Sequence, residues 1–177
     1  MDAPLALKEW SDFYVIIGSS AGALTGLQFV SIALIAEKEA ARSTTEIRAF
    51  GTPTIVHFCF ALVIAAIVCS PWRSLASVGV SLGILGGAGL AYSCNVVGHA
   101  RRQTGYAPDL EDWCWYVAFP LIAYATLLVS GIALAWHPTD SLFIIAAVAL
   151  ALVLIGIHNA WDTVTYVALT WRKPPGK

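Results

Sequence analysis

Charge is scarce in this 177-residue sequence: only 12% of its residues are Asp, Glu, Lys or Arg, while 58% are apolar. Soluble domains have about twice that charged share, so a water-soluble globule of this length lacks the polar surface it needs. The ten basic and eleven acidic residues nearly cancel, which excludes the basic surface of a nucleic-acid-binding protein. Intrinsic disorder is excluded as well, because it requires low hydrophobicity and the mean hydropathy here is +0.74.

Short catalytic and metal-binding motifs are also missing. The four cysteines have no CxxC spacing and are typical of small apolar side chains within helices. The sequence contains no phosphate-binding glycine loop, HExxH motif, nucleophile elbow or CxxCH haem-attachment motif. No motif therefore indicates an enzyme, and no cofactor is predicted.

Five long apolar runs dominate what is present. They cover residues 13–36, 54–70, 75–98, 113–136 and 141–170. A helix of about 20 apolar residues crosses the ~30 Å hydrocarbon layer, and runs that are continuous rather than alternating favour helices over a barrel. The sequence thus predicts an all-α integral membrane bundle of five transmembrane helices, with residues 1–177 forming a single transmembrane domain.

The second run is the shortest, and the residues before it indicate that its helix begins earlier. Ser43 and Glu46 have the spacing of a capping box, so we expect the helix to start near Thr44. Gly51 and Pro53 are then expected to bend it where it enters the membrane.

Basic residues are unevenly distributed between alternate connections. Eight of the ten lie in the segments 37–53, 99–112 and 171–177, and the other two lie in the remaining segments. By the positive-inside rule, the N-terminus is predicted outside and the C-terminus in the cytoplasm. All seven tryptophans fall near predicted span ends, as in an aromatic belt.

Glycines recur at helical spacing in the first and third runs. The set is Gly18, Gly22, Gly26, Gly79, Gly83 and Gly87. Small residues four positions apart form a flat strip that lets another helix approach closely. We expect the two strips to pack spans one and three against each other within the chain. A subunit interface or a pore wall is the alternative.

Polar side chains gather near the predicted cytoplasmic end of the spans. They are Gln28, His57, Asn95, His99, His158, Asn159 and Asp162. His158 and Asp162 are four residues apart and share a helix face, so the pair could relay protons or line a hydrated mouth or gate. With His57 or His99, it could instead bind a divalent metal, and two of the histidines His57, His99 and His158 could ligate haem. The structural alternatives are that the pair bonds to Asn95 and stabilises the bundle, or that Asp162 lies at the lipid headgroups.

The stretch from Asp12 to Leu34 reads DFYVIIGSSAGALTGLQFVSIAL. It resembles the first span of a group of small, mostly uncharacterised bacterial polytopic membrane proteins, which share an opening of the type FFVxxAGAxAALxGLxFVAVS. Some of that group are described as modulators of a membrane-bound ATP-dependent protease. The resemblance implies a bacterial plasma membrane and assigns no functional residue. The sequence departs from the shared pattern at Gln28.

These observations predict a small oligomeric channel or passive transporter for an ion or small solute, with a polar cytoplasmic mouth. The first alternative is a non-catalytic accessory or regulatory subunit of a larger membrane complex. The second is a metal- or haem-binding membrane redox protein. The expected partners are the lipid bilayer and either further copies of the chain or another membrane protein.

Overall fold

The computed structural model describes residues 3–38, 44–100 and 110–170 of the chain, and the secondary structure in these ranges is helical. The helices are α1 (Ala3–Lys8), α2 (Ser11–Lys38), α3 (Thr44–Cys69), α4 (Leu75–Ala100), α5 (Leu110–Ala133) and α6 (Pro138–Thr170). Helix α5 contains one π-helical turn, Cys114–Ala118. The predicted all-α class is confirmed.

Four of these helices, α2, α4, α5 and α6, are long and apolar enough to cross a membrane. Helix α3 contributes a shorter apolar stretch, Pro53–Cys69. It is described from Thr44 and continues through Pro53. The predicted capping residue Ser43 lies outside the described residues, so the predicted start stays a prediction. The apolar pattern therefore located the long helices of the bundle.

The turn between the last two helices lies earlier in the chain than predicted. The sequence placed the end of the fourth span at residue 136 and the start of the fifth at residue 141. Helix α5 ends at Ala133 and α6 begins at Pro138. The amides of Trp136 and His137 both donate to the carbonyl of Ala133, at 3.0 and 2.9 Å, so the chain turns before the apolar run ends. Proline suits the first position of a helix, because its φ is already helical and its missing N–H is not needed there.

Helix α1 is an element that the apolar pattern does not predict. It packs against α3 and buries Ala6 and Leu7. Trp10, which follows it, contacts Phe143 of α6 edge to face, with ring centroids 4.7 Å apart. The starts of α2 and α6 therefore lie at the same end of the bundle, which we call the Trp10 end.

Successive long helices run in opposite directions. The turns 70–74 and 134–137 lie at the Trp10 end, and the opposite end, called the Asn159 end, holds the end of α6. In the bundle, α2 packs on α3, α3 on α6, α6 on α5 and α5 on α4. In the most apolar stretch of each helix, 56% of the α6 residues are buried but only 17% of the α2 residues. Helix α6 is therefore central and α2 is peripheral.

The glycines of α2 pack against α3. A Cβ added to Gly18 would lie 3.1 Å from the Cβ of Ala65, and one added to Gly22 would lie 3.6 Å from Leu62 Cδ1. Gly26 has nothing within 4 Å. The prediction that spans one and three pack together through their glycines is therefore wrong. Each strip contacts the next helix along the chain, as is usual for consecutive elements.

The glycines of α4 bring its backbone against that of α5. A Cβ on Gly131 of α5 would lie 2.7 Å from the amide nitrogen of Gly83 and 2.9 Å from the carbonyl oxygen of Gly79. Further along, a Cβ on Gly86 would lie 2.5 Å from the amide nitrogen of Leu128. Side chains at these positions would meet backbone atoms, which cannot move aside as a flexible side chain can.

Gly86 and its neighbour Gly87 form a matched pair that tests this contact. Gly86→Ala should destabilise the bundle by about 1–3 kcal/mol, because the added methyl overpacks the α4–α5 contact. Gly87 has nothing within 4 Å, so Gly87→Ala should be neutral or gain up to about 1 kcal/mol in helix propensity. Thermal unfolding in detergent measures both changes. Equal unfolding midpoints for the two variants would contradict the close contact.

Candidate functional site

Buried polar side chains lie on every long helix towards the Asn159 end. We name this set the polar layer. It consists of Gln28 in α2, Thr54 and His57 in α3, Ser93 in α4, Tyr124 in α5 and Asn159 in α6. Among the side chains that the structure describes, none of the buried ones is Asp, Glu, Lys or Arg. The layer is therefore polar without carrying a fixed charge.

Contacts between α6 and α3 set the depth of Asn159 in the bundle. A Cβ on Gly156 would overlap the ring of Phe58, so these two residues lie at the same level. Asn159 is three residues further along α6, and Thr54 is four residues back along α3. Since the two helices run in opposite directions and rise about 1.5 Å per residue, Asn159 and Thr54 lie at nearly the same level.

Gln28 is a buried polar residue in the least buried of the long helices. The contact of Gly22 with Leu62 fixes how α2 and α3 align. Gln28 is six residues beyond Gly22 in α2, and His57 is five residues before Leu62 in α3. Because the two helices run in opposite directions, Gln28 and His57 lie at nearly the same level. Only 5% of the Gln28 surface is exposed, so its amide faces the bundle. The side chain at which the sequence departs from the resembled pattern thus belongs to the polar layer.

His57 and Tyr124 are joined by a hydrogen bond inside the layer. The imidazole Nδ1 and the phenol oxygen lie 2.8 Å apart, and both residues are buried. Gly89 makes the position of the phenol ring possible, because a Cβ at Gly89 would overlap it. Phe60 packs edge to face on the same ring, with centroids 4.8 Å apart. The ring is therefore held between α3 and the backbone of α4.

Two members of the layer have polar atoms without partners. Asn159 is fully buried, and neither its Oδ1 nor its Nδ2 has a hydrogen-bond partner among the described residues. The Oγ of Ser93 is likewise buried and unpartnered within that part of the chain. Leaving such a group unpaired costs about 1–3 kcal/mol. Native proteins retain few such groups, and each one needs a physical explanation.

His158 and Asp162 lie beside the layer and contact the π turn of α5. The His158 ring stacks on Trp115, with centroids 3.8 Å apart and planes inclined by 12°. The hydroxyl of Tyr116 donates to Asp162 Oδ2 at 2.9 Å. The His158 Nε2 also lies 3.9 Å from Glu111 Oε1, but Glu111 is largely exposed and such a pair stabilises little. Both predicted site residues therefore connect α6 to α5.

The π turn that carries Trp115 and Tyr116 has a local cause. The amide of Phe119 donates to the carbonyl of Cys114, five residues back instead of four. Pro120 follows, and it has no N–H to donate to the carbonyl of Tyr116. A wider turn therefore loses no hydrogen bond at that position. π turns occur frequently at functional sites, so this one marks the region as a candidate site.

The remaining predicted site residues lie apart from the polar layer or outside the described side chains. Asn95 is exposed on α4, and its Nδ2 donates to the carbonyl of Ala91 at 2.9 Å. The side chain of His99 lies outside the described residues. In the part of the chain with described side chains, no three His, Cys, Asp or Glu residues form a group that could hold a metal ion. Metal or haem binding that uses His99 stays a prediction.

Sequence reasoning missed Thr54, Ser93 and Tyr124. Hydroxyl side chains are common in apolar helices, because they can bond to their own backbone, so their residue type alone gives no signal. A count of depth from the predicted span ends would have put Thr54 and Ser93 near the level of His57, and Tyr124 at the middle of its span. It would not have shown which of them face the interior.

No protein-family model, curated protein or solved structure matches this chain. The resemblance of the first span to a group of bacterial membrane proteins therefore stays a prediction.

Tyr124 and Tyr14 are both fully buried, yet only Tyr124 has a described partner for its hydroxyl. Tyr124→Phe should destabilise the bundle by about 1–3 kcal/mol, because it leaves the buried Nδ1 of His57 without its partner. Tyr14→Phe removes an unpartnered hydroxyl and should leave stability unchanged or higher. Thermal unfolding in detergent compares the two variants. A larger loss for Tyr14→Phe would contradict the assignment of the hydrogen bond.

Proposed function

We propose that the chain crosses a bacterial plasma membrane five times, with the N-terminus outside and the C-terminus in the cytoplasm. Four helices of sufficient length support this topology, and the 17-residue stretch Pro53–Cys69 of α3 reaches the lower limit of about 17 residues for a span. The excess of basic residues on alternate connections supports the orientation. The polar layer then lies on the cytoplasmic side of the membrane.

Reporter fusions test this topology. Alkaline phosphatase is active only outside the plasma membrane, whereas green fluorescent protein is fluorescent only inside. Fusions after Arg42 and Lys177 should be fluorescent without phosphatase activity, and a fusion after Arg73 should give phosphatase activity. The reverse pattern would contradict the orientation, and the same signal from the Arg42 and Arg73 fusions would contradict the crossing of α3.

The proposed function is passive transport of an ion or small solute, with the polar layer as its cytoplasmic binding site. The observation that carries this proposal is Asn159, whose buried amide has no partner among the described residues. A polar residue that only stabilised the bundle would be expected to have a partner, because the lipid interior offers no water in its place. Buried polar residues within membrane helices are functional candidates by default.

The interior between the polar layer and the Trp10 end is apolar, and this affects how a solute would cross the bundle. Towards the Trp10 end, the core is filled by large aliphatic side chains with no exposed surface, among them Ile64, Leu82, Leu127, Leu134 and Ile145. A solute that enters the polar layer from the cytoplasm would meet this apolar barrier. Hydrophobic constrictions of this kind act as gates. We therefore favour a gated path or a carrier over a permanently open pore.

Self-association is part of the proposal. Only 17% of the residues in the most apolar stretch of α2 are buried. A Cβ added to Gly26 in that helix would have nothing within 4 Å. A second copy of the chain could pack there through the small residues of α2. The same exposed helix favours the second candidate function, a non-catalytic accessory subunit. The composition of the complex in mild detergent separates the two, since a homo-oligomer supports transport and a second protein in fixed ratio supports the subunit.

Asn159→Leu provides the test of transport, because leucine keeps the branched shape of asparagine without its polar atoms. In vesicles containing the purified chain, this variant should reduce solute flux about tenfold, since losing hydrogen bonds worth about 1 kcal/mol each raises the barrier. Its unfolding midpoint should stay the same or rise, because an unpaired polar group is removed.

Thr165→Val is the matched control on the same helix. The hydroxyl of Thr165 donates to the carbonyl of Trp161 at 2.9 Å, outside the polar layer, so flux should be unchanged. Parent protein that carries neither ions nor small neutral solutes would exclude transport. Equal flux in Asn159→Leu and the parent would exclude Asn159 from the path.

A further inference from the structure

The polar layer has a specific hydrogen-bonding chemistry. A carboxamide donates through Nδ2 and accepts through Oδ1, and both atoms of Asn159 are unpartnered among the described residues. The hydroxyl of Ser93, also unpartnered there, can do either. In contrast, the Nδ1 of His57 already bonds to Tyr124. Each of these two groups can therefore both donate a hydrogen bond to a ligand and accept one from it.

The described buried side chains of the layer do not compensate an ion. Among the described side chains, no buried one carries a fixed charge. An uncompensated ion loses far more hydration free energy on burial than a neutral polar molecule does. Cation channels replace the hydration shell with rings of carbonyl oxygens. Among the described buried side chains of the layer, the unpartnered acceptors are one carboxamide oxygen and one hydroxyl.

From these two observations we infer that the transported solute is small and uncharged, and that it both donates and accepts hydrogen bonds. Amides of the urea type, short polyols and water have this chemistry. The inference rests on the proposed transport function. Of the ions and small solutes named there, it selects the uncharged solutes. Asn159 would bind the solute at the cytoplasmic side through both atoms of its amide.

Vesicles containing the full-length chain test this selectivity with defined probes. Urea and glycerol uptake is followed by light scattering after an osmotic step, and K⁺ and Cl⁻ flux by ion-sensitive dyes in the same preparation. We expect urea or glycerol uptake faster than in protein-free vesicles, with ion flux equal to that of protein-free vesicles. Asn159→Leu should lower neutral-solute uptake about tenfold. Asn159→Asp should lower it as well, because it removes the Nδ2 donor and adds a charge.

A second pair of variants keeps the test decisive where an Asn159 variant fails to fold. Ser93→Ala should reduce neutral-solute uptake, whereas Cys94→Ala at the neighbouring exposed position should not. If the protein carries K⁺ or Cl⁻ and Asn159→Leu abolishes that flux, the inference of an uncharged solute is wrong, while the proposed transport function stands. Neutral uptake that is insensitive to both Asn159 and Ser93 would overturn the assigned site. If neither probe class crosses faster than in protein-free vesicles, the proposed function itself is wrong.

Discussion

The close approach of α4 and α5 is the constraint on which the polar layer depends. Gly79 and Gly86 let the two backbones meet, and Gly89 continues the same row to the ring of Tyr124. With no side chain at Gly89, the ring lies directly on the α4 backbone and its hydroxyl reaches His57 in α3. A wider separation would move the phenol away from the imidazole. The central hydrogen bond of the layer is therefore a product of glycines in a helix that contributes neither bonding atom.

The two ends of the bundle are stabilised by different interactions. At the Trp10 end, aliphatic side chains fill the interior and aromatic rings close it, so stability there comes from dispersion and close packing. At the Asn159 end, hydrogen bonds and ring stacking join α5 to α3 and to α6. Among the described residues, the unpartnered polar atoms of Asn159 and Ser93 lie within this second half, and the unpartnered hydroxyl of Tyr14 lies at the Trp10 end. The interior of the second half is thus the more polar of the two.

Much of the fold could be predicted from hydropathy, but helix partners could not. The apolar runs identified the long helices, because this signal is local in sequence. Gly18 and Gly79 of the glycine strips lie at helix contacts, whereas Gly26 and Gly87 have nothing within 4 Å. Gly18 packs on α3 and not on α4, since periodicity specifies a face and not its neighbour. For the site, Asn159 stood out by residue type, while Tyr124 became a candidate only once Gly89 was seen beneath its ring. The contact between Tyr116 and Asp162 depends on the π turn, which the apolar pattern does not reveal.

The π turn in α5 lets one helix present two unrelated faces. An α-helix turns by about 100° per residue, so one extra residue in a turn rotates everything before it by roughly that angle relative to everything after it. On one side of Cys114–Ala118, α5 uses Gly131 against α4. Within the turn, it directs Trp115 and Tyr116 towards α6. Shortening this segment by one residue would rotate the first turn of α5 away from α6 and leave the glycine contact in place. The contacts of Trp115 and Tyr116 with α6 are thus geometrically separable from the glycine contact with α4, although Phe119–Ala133 packs on both α4 and α6.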